Sequence, residues 1–205
     1  MSAVANRVVS QDNLPSLGLL SLAVTLAAYI LNLSDYYQPP VCVTGTILLF
    51  GGGLQLFLGV WSHKQGRVCS ACALLPLGIF WLSLISYEVF PALGLGSHPN
   101  PVTMFSFLSL WGLFLAVLFL GSFRQSVAIQ TLYGFMMFSF AALAMDHLRA
   151  DNVFLLIGCS TGIIASLVAL YIALAKNINQ LFKRRLLPLG EWSCFEDGDL
   201  EVNNG

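Results

Sequence analysis

Six apolar stretches, residues 16–33, 41–61, 68–89, 102–120, 126–145 and 153–175, divide this chain. Each approaches the roughly 20 residues that a helix needs to cross a hydrocarbon layer about 30 Å thick. That layer offers no water to backbone N–H and C=O groups, so stretches of this kind are confined to α-helices that satisfy themselves. Composition points the same way. Hydrophobic residues make up 57% of the chain and charged residues only 9%, where a soluble domain carries about a quarter charged. The sequence therefore reads as an all-α membrane protein with six transmembrane helices. No basic stripe points to nucleic acid, and the five cysteines form no secreted disulfide framework.

The breaks between spans are short. Residues 34–40 end in the Pro39-Pro40 pair, 62–67 are basic, and 90–101 are rich in Gly and Pro, residues that terminate helices. Pro76 inside the third span removes one helix hydrogen bond, which predicts a kink over residues 72–77. Three segments follow: a polar N-terminus (1–12), a six-helix transmembrane domain (13–175), and a tail (176–205) that is basic and then acidic and polar. The basic part is expected to lie at the inner leaflet and the acidic end to be disordered. Residues 1–12 lack the pattern of a cleaved signal peptide. Asn32-Leu33-Ser34 is a glycosylation sequon, but its place at the membrane edge predicts that it stays unmodified.

Six spans put the N-terminus, the second and fourth loops and the tail on one face. That face holds Arg7, Lys64, Arg67, Arg124, Lys176, Lys183, Arg184 and Arg185; only Arg149 lies on the other. The excess of cations places both termini in the cytosol. The opposite face carries Asp35, Glu88, Asp146 and Asp151, which would mildly repel an incoming anion. The plasma membrane is the default location.

Within the second span, Gly45, Gly52 and Gly59 recur every seven residues and so share one helix face. Gln55 falls on the same face near the membrane midplane. An unsatisfied amide there costs several kcal/mol, on the order found for buried polar groups. Two explanations fit: a tight helix contact in which Gln55 bonds a neighbour, or a polar path lined by Gln55, Thr25 and the backbone of Gly51 and Gly52. On the residues alone, packing is the better-supported explanation.

No Lys, Arg, Asp or Glu lies near the centre of a span, so an anion would meet only amide and hydroxyl donors and bind weakly. Glu88, Asp146 and His147 are the candidates for proton linkage, although a hydrated place at the membrane rim explains all three as well. Cys69 and Cys72 have metal-pair spacing without a second pair or a His cluster, and ordinary cysteines explain them. No metal site, cofactor or nucleophile–base pair emerges, so an enzyme is not expected. Gly158-Cys159-Ser160-Thr161-Gly162 has the small-xxx-small form of close helix packing, within or between subunits. Phe80, Trp81 and Trp111 read as packing or lipid-facing groups.

Several of these stretches, taken in order, resemble the acetate uptake transporter family of bacterial succinate–acetate permeases and fungal acetate and ammonia transporters. The stretches are Asn13-Leu14-Pro15-Ser16-Leu17-Gly18-Leu19, Gly51-Gly52-Gly53-Leu54-Gln55, Gly78-Ile79-Phe80-Trp81-Leu82, Ala169-Leu170-Tyr171-Ile172-Ala173 and 184–191. The first departs from the family pattern by lacking its two prolines in register. The resemblance implies a ring-shaped homohexamer with a path in each protomer. It also implies passage of small monocarboxylates such as acetate, sometimes succinate, by proton-linked or channel-like transport. Asn13 and Gln55 match the family and become the leading substrate-path candidates, with Thr25, Gly51 and Gly52. The family's aromatic and aliphatic constriction corresponds to Leu22, Leu77 and Met136, none of which keeps the family residue. With the resemblance, the polar-path explanation gains over packing. The alternative is a non-transporting multispan scaffold or sensor whose apolar neck has closed.

Overall fold

The computed structural model describes residues 15–34, 39–123, 125–149, 152–184 and 186–190. Asn13, with Asp35, Arg124, Asp151 and Arg185, lies outside the described residues. Among the described residues, six helical spans long and apolar enough to cross a membrane follow one another: α1 (Ser16–Leu33), α2 (Val41–Lys64), α3 (Val68–Leu84, whose span runs on to Ala92), α4 (Pro101–Ser122), α5 (Val127–Arg149) and α6 (Asn152–Phe182). Their order and starts follow the apolar stretches of the sequence. Four of them, α2, α4, α5 and α6, end further on, at Lys64, Ser122, Arg149 and Phe182, because a helix continues to satisfy its own backbone past the last apolar residue. Helix α1 ends at Leu33 as expected, and α3 gives way to a π-helical turn after Leu84.

Local chemistry explains the boundaries. Pro15 and Pro40 stand immediately before α1 and α2, where proline lacks only a donor the helix would not use. Asn100 caps α4: its side-chain oxygen accepts from the Thr103 N–H at 2.7 Å, with Pro101 opening the helix. Helix α3 continues through Pro76. It then widens into a π-helical turn, Ile85–Val89, before the short turn Phe90–Ala92, a device that re-aims the residues after it.

The helices form a closed bundle. Helix α1 packs on α2 and α6, α2 on α3, α4 on α5, and α5 on α6. The side between α3 and the α4–α5 pair is closed by aromatic rings around Phe80, whose centroid lies 4.9 Å from Phe140, 5.3 Å from Trp111 and 5.6 Å from Phe107. Serine hydroxyls stitch the helices together. Ser21 donates to the Gly51 carbonyl at 3.0 Å, Ser139 to that of Gly158 at 2.7 Å, and Ser166 to that of Ala23 at 2.9 Å. In an apolar medium each bond satisfies a hydroxyl that water would otherwise serve. The small residues of α6 turn inward. A Cβ on Gly158 would meet Leu143 at 2.7 Å and one on Gly162 would meet Ile30 at 2.6 Å, so this stripe packs within the chain. Large apolar side chains such as Phe50, Phe57, Leu110 and Leu156 are exposed around the outside, where lipid would cover them.

At the end of the bundle bearing Lys64 and Arg67, the chain after α6 turns back. Asn179 clamps it: its Oδ1 accepts from the N–H groups of Leu186 and Leu187, and its Nδ2 donates to the Leu187 carbonyl. The Leu189 and Gly190 carbonyls then accept from the N–H groups of Ala128 and Val127, satisfying donors that the first turn of α5 cannot use itself.

Candidate functional site

The glycine face of α2 sets the height of everything around it. A Cβ on Gly45 would meet Val89 at 3.0 Å, one on Gly52 would meet the Gly78 carbonyl and the Trp81 Cβ at 3.0 Å each, and one on Gly59 would meet Leu75 at 2.7 Å. The heptad glycines are therefore a seam against α3 and the turns after it, with Gly52 and Gly78 back to back. Gly51 presses instead on Thr25 of α1, and its carbonyl is taken by Ser21. Thr25 is buried and spends its proton on the Ser21 carbonyl of its own helix, at 2.7 Å. Thr25, Gly51 and Gly52 thus sit in helix contacts, and the polar work of this face passes to Gln55.

Gln55 lies three positions beyond Gly52 and four before Gly59. The antiparallel pairing of α2 with α3 therefore brings it to the height of Leu77. It is 0% exposed, and neither its Oε1 nor its Nε2 finds a hydrogen-bond partner among the described residues. A neighbouring helix does not satisfy it, which removes the simplest form of the packing explanation. Leu22, Leu77 and Met136 belong to one continuous buried cluster contributed by α1, α3 and α5, each exposed by 2% or less. The three neck candidates are thus inside the bundle, and aliphatic.

Toward the acidic end, a cavity of about 380 Å³ opens between α1, α2, the π-helical turn, α4 and α5. Asn32, Thr44, Tyr87, Glu88, His98 and His147 are among its lining residues. Thr44 donates to the Asn32 Oδ1 at 3.3 Å. Two of the three proton-linkage candidates, Glu88 and His147, meet in this vestibule, whereas Asp146 is half-buried beside it. The sequence alone treats Asn32 as a sequon and leaves His98 unmentioned. The bundle places both at the vestibule, where the π-helical turn also presents Glu88. Cys69 and Cys72 are both exposed, and no metal-holding group of His, Cys, Asp and Glu occurs among the described residues.

Sequence reasoning missed two further groups. Tyr29 and Trp81 are each 0% exposed, with ring centroids 6.0 Å apart, and neither the Tyr29 hydroxyl nor the Trp81 Nε1 has a partner among the described residues. Periodicity assigns an aromatic on a buried face to packing; nothing in the pattern marks its polar atom as unpaired.

A closed bundle of six membrane-length helices, with unpaired polar groups inside it and at one end a vestibule that carries Glu88, His98 and His147 among apolar residues, is the architecture of a membrane transporter or channel. The chain belongs to the GPR1/FUN34/yaaH family, whose model matches residues 5–189. It is 28% identical over 175 residues to the succinate-acetate/proton symporter SatP of Escherichia coli strain K12, covering 85% of this chain and 93% of that protein. Acetate permease A of Emericella nidulans is 25% identical over 177 residues, covering 78% of this chain and 59% of the permease. A solved structure, described as that of the bacterial acetate channel SatP, matches with a TM-score of 0.81 at 28% identity, over 85% of this chain and 97% of that one.

Proposed function

We propose that this chain carries small monocarboxylates such as acetate, and in some settings succinate, across a membrane in a proton-linked or channel-like way. The observation that carries this reading is Gln55, fully buried and unpaired at the height of Leu77. A carboxylate moved into hydrocarbon faces an idealised cost on the order of 20 kcal/mol. An amide dipole already desolvated and without a partner replaces part of the lost water without first breaking a bond of its own. The names of the relatives support the substrate class.

Asn13 joins Gln55 on the substrate path in this reading, and Leu22, Leu77 and Met136 form its neck. Met136, with its flexible thioether chain, is the residue best suited to move when the neck wets. Glu88, His147 and Asp146 link passage to protons at the outer mouth. Both termini face the cytosol, the plasma membrane houses the protein, and six copies assemble as a ring with one path in each protomer. The distribution of cations supports this orientation. The closed aliphatic neck is the feature that would favour a scaffold, but the same feature serves as a gate, and the transporter relatives favour the gate.

The test is uptake of radiolabelled acetate by proteoliposomes. Gln55→Leu is expected to cut the flux by about tenfold, one hydrogen bond to a charged group, with assembly unchanged. Unaltered flux in that variant would remove Gln55 from the path.

A further inference from the structure

The basic end of α3 holds a cluster of hydrogen-bonding groups that the bundle leaves unused. Helix α3 opens at Val68 after Arg67, with no side-chain cap and no acidic residue in its first turn. The N–H groups of Cys69 and Ser70 donate to no backbone acceptor among the described residues, as is usual for the first donors of an uncapped helix. The Ser70 hydroxyl has no partner among the described residues although Ser70 is 1% exposed, and the buried Nε of Arg67 has none either. Arg67 and Ser70 stand three residues apart, on one side of the helix start. A hydroxyl accepts as well as donates, so Ser70 does not choose a ligand by itself. The guanidinium, the two N–H groups and the positive end of the helix dipole make the choice, and they favour an anion.

The same end carries the root of an acidic segment. Phe80 of α3 and Phe140 of α5 touch, with ring centroids 4.9 Å apart. As the third and fifth of six successive spans, the two helices run in the same direction. Ser70 and Gln130 each lie ten residues back from that contact and so stand at about the same height. The returning tail is fixed within a turn of that height, where the Leu189 and Gly190 carbonyls accept from the Ala128 and Val127 N–H groups. Residues 191–205 follow. They contain Glu191, Glu196, Asp197, Asp199 and Glu201, half of the chain's acidic residues, and no Lys, Arg or His. Extended, such a length reaches about 50 Å, well beyond the width of two helices of about 10–12 Å each. The end of the bundle it leaves from bears Lys64, Arg67, Lys183 and Arg184. Residues 1–14, which precede α1 at the same end, offer only Asp12 against Arg7.

We infer that the start of α3 is a docking site for the acidic segment 191–201 of the same protomer. Asp and Glu side chains present Arg67, Ser70 and the two N–H groups with a carboxylate that is tethered and therefore locally concentrated. Ser70 shares its helix face with Leu77, seven residues on, and lies about 10 Å from it. A tail carboxylate held at Ser70 stands in the basic-end approach to the neck and keeps that approach shut until it is displaced. Docking does not depend on what the bundle carries; the shutting rests on the transport reading above.

Two native cysteines report the contact. Cys69 is exposed in the first turn of α3, and Cys194 lies among the acidic residues of the tail. In the full chain in neutral detergent, a short bismaleimide should join Cys69 to Cys194 within one chain, read by mass spectrometry of the linked peptides. The yield should fall about tenfold when Glu196→Gln, Asp197→Asn, Asp199→Asn and Glu201→Gln are combined, the effect of one hydrogen bond to a charged group. It should fall likewise at about 1 M salt, where charges are screened beyond about 3 Å. In proteoliposomes the neutralised tail should raise acetate flux by about tenfold, on the same reckoning. These substitutions lie beyond the six helices, so they carry the test even if the companion variant Arg67→Gln, expected to lower the yield with the tail unaltered, does not fold. A yield indifferent to tail charge and to salt would overturn the site, and links formed only between chains would overturn the contact within one protomer. Loss of the link in phosphatidylglycerol vesicles but not in phosphatidylcholine would give the site to a lipid headgroup and overturn the tail as its occupant. Acetate flux unchanged by the neutralised tail would overturn the shutting. Charge-dependent linking without acetate flux in either protein would uphold docking while refuting transport.

Discussion

A methyl group placed on Gly78 would stand 2.8 Å from the Gly52 carbonyl oxygen and 2.9 Å from the Leu56 backbone nitrogen. Both neighbours are backbone, so no side chain can swing away; α2 and α3 must separate by about half an ångström. Forced overpacking of this kind costs about 1–3 kcal/mol. Alanine also recovers up to about 1 kcal/mol of helix propensity over glycine, which blurs the effect of one substitution. Gly53→Ala removes that ambiguity. It lies on the same helix as Gly52, and its Cβ would meet nothing within 4 Å, so it collects the propensity gain without the clash. The difference between Gly78→Ala and Gly53→Ala is then the overpacking term, about 1–3 kcal/mol. At about 2–4 °C per kcal/mol for a chain of this size, the two variants should differ by several degrees. The assay is the temperature at which detergent-purified protein loses its monodisperse gel-filtration peak. Acetate flux should fall in Gly78→Ala as well, because opening the seam displaces Gln55 from the height of Leu77. Equal midpoints for the two variants would refute the back-to-back contact and the height argument built on it.

Glu88→Gln keeps the shape of the vestibule wall and removes the carboxylate. Acetate uptake driven by an inward proton gradient should fall at least twofold relative to uptake without one, measured in the same vesicles; an unchanged ratio would take Glu88 out of proton linkage. Asn179→Ala deletes three hydrogen bonds that hold the returning tail, each contributing about 1 kcal/mol. Hydrogen exchange at the Val127 and Ala128 amides should quicken at least tenfold while the centre of α5 is unaffected, and unchanged exchange there would mean that Leu189 and Gly190 hold the tail on their own.

The six helices were legible because their cause is local: length and apolarity decide whether a segment can cross a bilayer, and both are written along the chain. The same holds for the Asn100-Pro101 start of α4. The glycine repeat of α2 announced a close contact but not its partner, since periodicity identifies a face and leaves open which helix meets it. Its polar member needed the fold. Whether an amide is satisfied depends on residues twenty or more positions away, and Gln55 separates from the glycines only when α3 is seen to take the seam and leave the amide alone. Trp81 and Tyr29 were hidden more deeply, because their rings do pack as an apolar pattern demands, and only an inventory of partners exposes the N–H and the hydroxyl. The placing of Glu88 and His147 on one cavity, and the return of the tail onto α5, are long-range events that no window of sequence contains.

The pairing of a glycine seam with an unpaired amide on one helix face has a physical logic. Close backbone contact between Gly52 and Gly78 fixes the spacing of α2 and α3 without side chains that could adjust, so Gln55 cannot relax toward a partner on α3 and keeps its hydrogen-bonding capacity. A fixed cation at that point would bind an anion more tightly, but passage requires leaving as well as entering. On the proposed carboxylate reading, the two N–H donors of the Gln55 amide would offer an anion a weak station. On the same reading, the aliphatic neck of Leu22, Leu77 and Met136 would stay closed to water until it is occupied. A weak station at a closed neck would favour turnover over retention, and it requires a donor held in place by something rigid. The glycine seam supplies that rigidity.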